Sequence, residues 1–168
     1  EFIDQKIINA LSLDYPKDKM KVIVVTDGST DETTGIAERY SEVLHLHKPD
    51  RKGKVSAINR AVRLIREDYD ILVFSDANTL INKDAIMHMV RRFVNPRVGG
   101  VSGEKVVLSH DEDMVHARGE GLYWKYESWL KKLDSDFYSV AGAAGELFSI
   151  RQKLYEDMPE NVILDDLY

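Results

Sequence analysis

The nine residues Leu72-Val73-Phe74-Ser75-Asp76-Ala77-Asn78-Thr79-Leu80 constrain the chain most. An apolar run breaks into a carboxylate, a small residue and a carboxamide, and apolar residues then resume. Ile71 to Phe74 are continuously apolar, as strands covered on both faces of a parallel sheet tend to be. Sheets of that kind place ligand sites beyond the carboxyl ends of their strands, which is where Asp76 stands. Asp76 and Asn78 are two apart, so in an extended turn both side chains point the same way and offer hard oxygen donors to one Mg²⁺ or Mn²⁺. The same residues also serve as ordinary turn formers, and this stretch alone leaves both readings open.

The rest of the chain supplies more strands that alternate with helices. Ile3, Ile7 and Leu11 recur at helical spacing until Asp14-Tyr15-Pro16 stops them. Lys21 to Thr26 is β-branched and apolar, a buried strand, and runs through Asp27-Gly28-Ser29-Thr30-Asp31 into a helix with Ile36, Ala37 and Tyr40 inward. A short strand from Val43 to His47 follows. The basic stretch Lys48 to Lys54 then leads into a helix whose face is Val55, Ile58, Val62 and Ile65. After the strand at Ile71, Asn82-Lys83-Asp84 caps a helix that turns Ile86, Met89, Val90 and Phe93 to one side. Val98 to Leu108, broken by glycines, reads as two short strands. Met114 to Leu133 reads as a long amphipathic helix with Leu122, Tyr126, Trp129, Leu130 and Leu133 as its stripe, and Leu147 to Ile150 as a last strand. The alternation predicts an α/β domain with a largely parallel sheet.

At 168 residues and 43% hydrophobic content the chain suits one globular core, so residues 1–168 are expected to form a single domain. Twenty-three basic against 29 acidic residues, a formal charge of -6, argue against a nucleic-acid partner, which calls for clustered excess Lys and Arg. With no cysteine, disulfides and thiolate metal sites are excluded. The apolar stretches are shorter than the roughly 18 residues that span a bilayer. A start without Met inside an apparent helix and an end at Tyr168 read as a chain cut at both ends.

Four constellations carry chemistry. Asp27-Gly28-Ser29-Thr30-Asp31 ends its strand as Asp76 does, and a parallel sheet would bring both acidic loops to one edge. There Asp27 is suited to accept hydrogen bonds from a nucleobase or ribose, Gly28 allows close backbone approach, and Thr30 or Asp31 suits a helix cap. Arg51-Lys52-Gly53-Lys54 puts cations at a helix N-terminus, where a phosphate would compensate them, although its spacing is not that of a P-loop. Asp165-Asp166 follows Val162-Ile163-Leu164, so one carboxylate could face a site while the other caps a helix. The five histidines show no metal-ligand spacing and read as structural or surface residues. Tyr126 and Trp129 fit core packing, and Trp124 stands off that stripe.

Taken in order, Val24-Val25-Thr26-Asp27-Gly28-Ser29-Thr30-Asp31, Lys52-Gly53-Lys54-Val55-Ser56-Ala57-Ile58-Asn59, Phe74-Ser75-Asp76-Ala77-Asn78 and Asp165-Asp166-Leu167 resemble the processive family 2 glycosyltransferases of GT-A fold. The resemblance implies a Rossmann-related, mostly parallel sheet flanked by helices. It also implies an inverting transferase that moves a sugar from a nucleotide-diphosphate sugar, most often a UDP-sugar, to a saccharide or lipid-linked acceptor with Mg²⁺ or Mn²⁺. By that resemblance Asp27 contacts the nucleoside, Lys54 and Asn59 lie by the nucleotide and the helix behind it, Asp76 holds metal and diphosphate with Asn78 beside it, and Asp166 is the base. Thr26 stands in place of a common first Asp, Asn78 in place of the second Asp of Asp-x-Asp, and Asp165 in place of a common Glu. Many relatives flank this domain with transmembrane helices, which places a parent protein at the cytoplasmic face of a membrane and leaves the 168-residue piece soluble. The family's first strand is expected before Glu1, between the strands ending at Thr26 and Ser75. Its loss predicts that those two strands join directly or take a strand from a second copy in a dimer, with impaired binding and transfer. A nucleotidyltransferase and a nucleotide-sugar-binding module without turnover are the rival readings.

Overall fold

The computed structural model describes residues 2–65, 68–104 and 145–159. Helix α1, Phe2–Leu11, carries the Ile3, Ile7 and Leu11 stripe; its C-terminal end is closed by the Lys17 ammonium, which donates to the carbonyls of Leu11 and Leu13. Strand β1, Val22–Asp27, pairs parallel with β2, Val43–Lys48, in a register from Val22 opposite Val43 to Asp27 opposite Lys48. Helix α2, Thr33–Ala37, connects them, as a parallel pair requires. Beneath this pair Ile7, Ala37 and Val43 form a small core with Ile3, Leu11, Val22, Val24 and Tyr40 around it.

Helix α3, Lys54–Ile65, precedes β3, Ile71–Ser75, and α4, Ala85–Arg92, follows it. The predicted inner faces hold in part: Val55 and Val62 of α3 are buried, as are Ile86 and Met89 of α4 and Phe93 just beyond it, while Asn59 takes an inward place the apolar pattern did not give it. Asp84 stands at the start of α4 but makes no capping bond with its side chain, which meets His88 instead at 3.1 Å. Strands β4, Gly100–Ser102, and β5, Leu147–Arg151, complete the described elements. Leu13, Ile81 and Ile86 gather a second core with Leu147 and Val90. The predicted helix over 114–133 and the later part of the 98–108 stretch lie outside the described residues.

The parallel alternation holds for β1 and β2. β3, however, pairs antiparallel with β5, which also pairs antiparallel with β4, so the second sheet has the order β3-β5-β4. Nor is β3 covered on both faces: Leu72 is 5% exposed but Val73 is 37% exposed. The direct joining of β1 to β3 is not found. Among the described residues the two sheets share no strand pairing, and α1 links them instead, because it packs on the first and hydrogen-bonds to the loop that leaves β3.

Candidate active site at two strand tips

Asp27 is the last residue of β1, and its fate follows from the loop that comes to meet it. Gly28 extends the ladder by donating to the Lys48 carbonyl at 2.8 Å, with φ of +67°, a conformation that favours glycine. A Cβ at Gly28 would lie 2.5 Å from Arg51 Cβ and 2.9 Å from the Arg51 backbone, so only glycine lets the two loops touch this closely. Asp27 Oδ2 then accepts from the backbone amides of Lys52 at 2.6 Å and Gly53 at 2.7 Å. Those amides lie just ahead of α3, whose first residue is Lys54. On its other side, Asp27 Oδ1 faces the Arg60 guanidinium at 3.7 Å, and Arg60 also donates to the Thr26 carbonyl. Oδ1 is buried with no hydrogen-bond donor.

The 52–54 loop passes this order on to the second tip. Lys54 Nζ lies 3.1 Å from Asp76 Oδ1, an ion pair with both side chains partly open to water. Asp76 donates its amide to the Glu146 carbonyl, and Thr79 donates to the Asp76 carbonyl at 3.2 Å, so Asp76 to Thr79 form a tight turn with Ala77 and Asn78 at its corner. The extended geometry expected for Asp76 and Asn78 is therefore corrected: in a closed turn their spacing of two does not align the side chains as it does in a strand. Asn78 itself is exposed.

Three of the predicted residues are thus linked in one run of contacts: Asp27 to the Lys52 and Gly53 amides, and Lys54 to Asp76. Asn59 stands apart from that run. It is 4% exposed; its Nδ2 donates to the Met158 carbonyl, while its Oδ1 accepts from the Met158 amide and the Tyr155 hydroxyl. These bonds make it a fastening for the 155–158 segment, which Arg63 also holds through Asp157 at 2.8 Å. Asp166 lies outside the described residues. Asp31 stands one residue before the Glu32 N-cap of α2, so it closes a turn ahead of the helix by accepting from the Thr33 amide, and the hydrogen bonds from Thr33 hold its carboxyl below the usual range.

Sequence reasoning missed Lys6, Asn9 and Arg60. Lys6 is 9% exposed and donates to Ser75 Oγ at 2.6 Å and to the Thr79 carbonyl. Burial pushes its ammonium down to about 8, against the opposing pull of the Asp76 charge. Asn9 donates to the Ile81 carbonyl and accepts from the Ile81 amide. A polar pair three residues apart, flanking the apolar stripe of an amphipathic helix, was the signal available. His45 and His47 share one face of β2 as predicted, and both meet Thr26 Oγ1 at 2.9 Å. The cavity of about 150 Å³ lined by Ile58, Phe74, Phe148 and Tyr155 contains none of the predicted site residues, and its lining is that of a core.

One carboxylate and one carboxamide on an accessible turn form a sparse set of hard oxygen donors. That fits Mg²⁺ or Mn²⁺, which keep waters and share substrate phosphates, rather than an ion caged by protein. Among the described residues no three His, Cys, Asp or Glu side chains gather for a metal.

The model of glycosyl transferase family 2 matches residues 3–158. Poly-beta-1,6-N-acetyl-D-glucosamine synthase of Staphylococcus aureus is 29% identical over 107 residues, 61% of this chain and 25% of that protein. An N-acetylglucosaminyltransferase of Azorhizobium caulinodans is 28% identical over 129 residues, 74% of this chain and 32% of that one. The chain therefore spans only about a quarter to a third of these curated relatives. Among solved structures, the mannosyltransferase PcManGT of Pyrobaculum calidifontis, in complex with GDP-Man and Mn²⁺, superposes with a TM-score of 0.79 at 27% identity, covering 98% of this chain and 46% of that one. S. aureus TarS superposes with a TM-score of 0.53 at 22% identity over 67% of this chain and 36% of that one, a likeness of fold. With a GT-A α/β fold and a family match over nearly its whole length, the chain belongs to glycosyl transferase family 2.

Proposed function

We propose that this chain is the donor-binding part of an inverting glycosyltransferase that uses a nucleotide-diphosphate sugar, a UDP-sugar in the first instance. The observation that carries the reading is the Lys54–Asp76 ion pair of 3.1 Å, which sets a mobile ammonium beside a strand-tip carboxylate. A diphosphate draws on both: it takes the ammonium directly, and it shares with Asp76, and with Asn78 on the same turn, a divalent cation that neutralises charge growing on the leaving group. Asp27 shapes the loop that carries Lys54 by holding the Lys52 and Gly53 amides, and it acts on the nucleoside end of the site through that loop, its Oδ1 being buried against Arg60. Asn59 acts one step behind, by fastening residues 155–158.

In the proposed reaction the acceptor hydroxyl attacks the anomeric carbon as the bond to diphosphate breaks. Asp166 takes the hydroxyl proton, since a neutral hydroxyl is a weak nucleophile. Lys54 stabilises the departing charge. A single displacement inverts the centre and needs no second carboxylate as covalent nucleophile. The acceptor is a saccharide or a lipid-linked sugar, and the whole protein works at the cytoplasmic face of a membrane. No helix among the described residues is long and apolar enough to cross one.

Calorimetry with UDP-N-acetylglucosamine, GDP-mannose and UDP, each with Mn²⁺, Mg²⁺ or EDTA, tests the reading; N-acetylglucosamine comes first because both curated relatives are named for it. Binding should depend on the cation and on Asp76. Equal affinity in EDTA, or a cation effect that survives Asp76→Ala, removes the metal from the site. With the whole protein, Asp166→Asn should keep donor binding and lower transfer by roughly 10²- to 10⁴-fold. Release of pyrophosphate instead of nucleoside diphosphate would make the protein a nucleotidyltransferase, and binding without transfer a regulatory module.

A further inference from the structure

We propose that Lys6 is a positioning residue for the Asp76 site, its ammonium bracing from beneath both ends of the turn that presents Asp76 and Asn78. The inference deepens the transferase reading and rests on it. A charged side chain on the inward side of a helix is unusual, because Lys is almost never fully buried without partners. At 9% exposure, next to Ile7 at 1%, Lys6 occupies a place where an apolar residue would pack at no desolvation cost. Its two acceptors explain the exception. Ser75 is the last residue of β3 and Thr79 the residue that closes the turn, so one ammonium spans the entry and the exit of the segment 76–78.

The surrounding bonds converge on the same turn. Ser75 Oγ accepts from Lys6 and donates to the Asp76 carbonyl, which also accepts from the Thr79 amide. One turn further along α1, Asn9 pairs with both backbone groups of Ile81, as a neighbouring strand would. Lys6 and Asn9 are three residues apart, on one face of the helix, and α1 therefore acts as a template for residues 75–81. A turn that is exposed at its corner gains its fixed shape from below. Groups that orient a ligand without touching the metal commonly change its affinity 10- to 100-fold, and Lys6 is in that relation to Asp76.

The test compares wild type with Lys6→Met, which keeps the length and apolar stem but removes all the donors. Three quantities are read: Mn²⁺-dependent affinity for UDP-N-acetylglucosamine and for GDP-mannose by calorimetry, amide hydrogen exchange at residues 76–81 without metal, and Tm. Positioning predicts faster exchange confined to 76–81 and affinity for whichever donor binds weakened by about 10- to 100-fold. Tm should change by only a few degrees, since relief of the buried cation's desolvation offsets the two acceptors left without their donor. Lower Tm with unchanged affinity and unchanged exchange at 76–81 would make Lys6 structural only and overturn the proposal, and so would unchanged exchange by itself. If wild type binds neither donor with Mn²⁺, the transferase reading fails, while faster exchange at 76–81 in Lys6→Met would still establish the brace.

Discussion

Asp27 and Asp76 stand at comparable places, one ending β1 and the other just past the end of β3, yet they are used in opposite ways. Asp27 has a side chain 12% exposed, and its Oδ2 is filled by two backbone amides that cannot leave. Asp76 has a side chain 35% exposed, and its partner is the ammonium of Lys54, itself half in water at the end of a flexible stem. A carboxylate bonded to fixed amides is scaffold; one bonded to a mobile cation can exchange that cation for another. The difference separates a carboxylate committed to holding a loop from one that the proposed function gives to a ligand, although both read alike as acidic strand tips.

Stability should split the two carboxylates most sharply. Asp27→Ala removes the acceptor for two amides and leaves the Arg60 guanidinium, 20% exposed, without its carboxylate. A loss of about 3 kcal/mol is expected in urea unfolding. Asp76→Ala breaks a solvent-screened pair with Lys54 and withdraws a pull on the Lys6 ammonium, and it should cost less than about 1 kcal/mol. Equal losses would end the distinction between scaffold and ligand residue.

The two glycines around the first tip sharpen the same contrast at smaller scale. Gly28→Ala puts a Cβ 2.5 Å from Arg51 Cβ at a φ of +67°, and a loss of about 1–3 kcal/mol follows from overpacking against a loop that Asp27 holds in place. Gly35, inside α2, has nothing within 4 Å of its would-be Cβ, so Gly35→Ala should stabilise by about 0.5–1 kcal/mol. If Gly28→Ala is as benign as Gly35→Ala, the 27–28 and 51–53 loops are not packed as described. Thermal or urea unfolding of both variants decides it.

Much of this arrangement was legible in the residues. The strand tips, the basic loop ahead of α3 and the apolar faces of α1, α3 and α4 follow from periodicity and turn chemistry, which are local. The use of Asp27 was not, because its partners are backbone amides 25 and 26 positions away and an amide carries no side-chain signature. The resemblance puts Asn59 by the nucleotide and the helix behind it, but nothing local announces that its carboxamide pairs with both backbone groups of Met158, 99 positions later. Lys6 hid for a related reason: a lysine beside an apolar stripe looks like solvated surface until residues 69 and 73 positions away come down onto it. The antiparallel sense of β3 and β5 was equally hidden, since apolar runs declare strands but not their pairing direction.

The smallest effect expected is an acid sensitivity at the Asp27 end with no counterpart at the Asp76 turn. Thr26, 4% exposed and one residue before Asp27, places its hydroxyl between His45 Nε2 and His47 Nδ1. The hydroxyl has one proton, so it donates to one ring and accepts from the other; when both rings are charged, both become donors and that proton loses its acceptor. Burial holds the His45 imidazole below its usual range, with Glu38 pulling it up and His47 pushing it down further. Because the unfolded chain then binds the proton more readily than the folded one, the stability His45 contributes is present above its ordinary value near 6.5. It is lost as pH falls from there through the lower folded value. Unfolding followed from pH 7.5 down to 5 should show this decline, and His45→Gln should flatten it. Protection of the amides near Thr26, taken relative to their intrinsic exchange at each pH, should fall with acid while that of residues 76–79 holds. A decline that His45→Gln leaves unchanged, or one centred on the Asp76 turn, would show that the acid-sensitive group lies elsewhere.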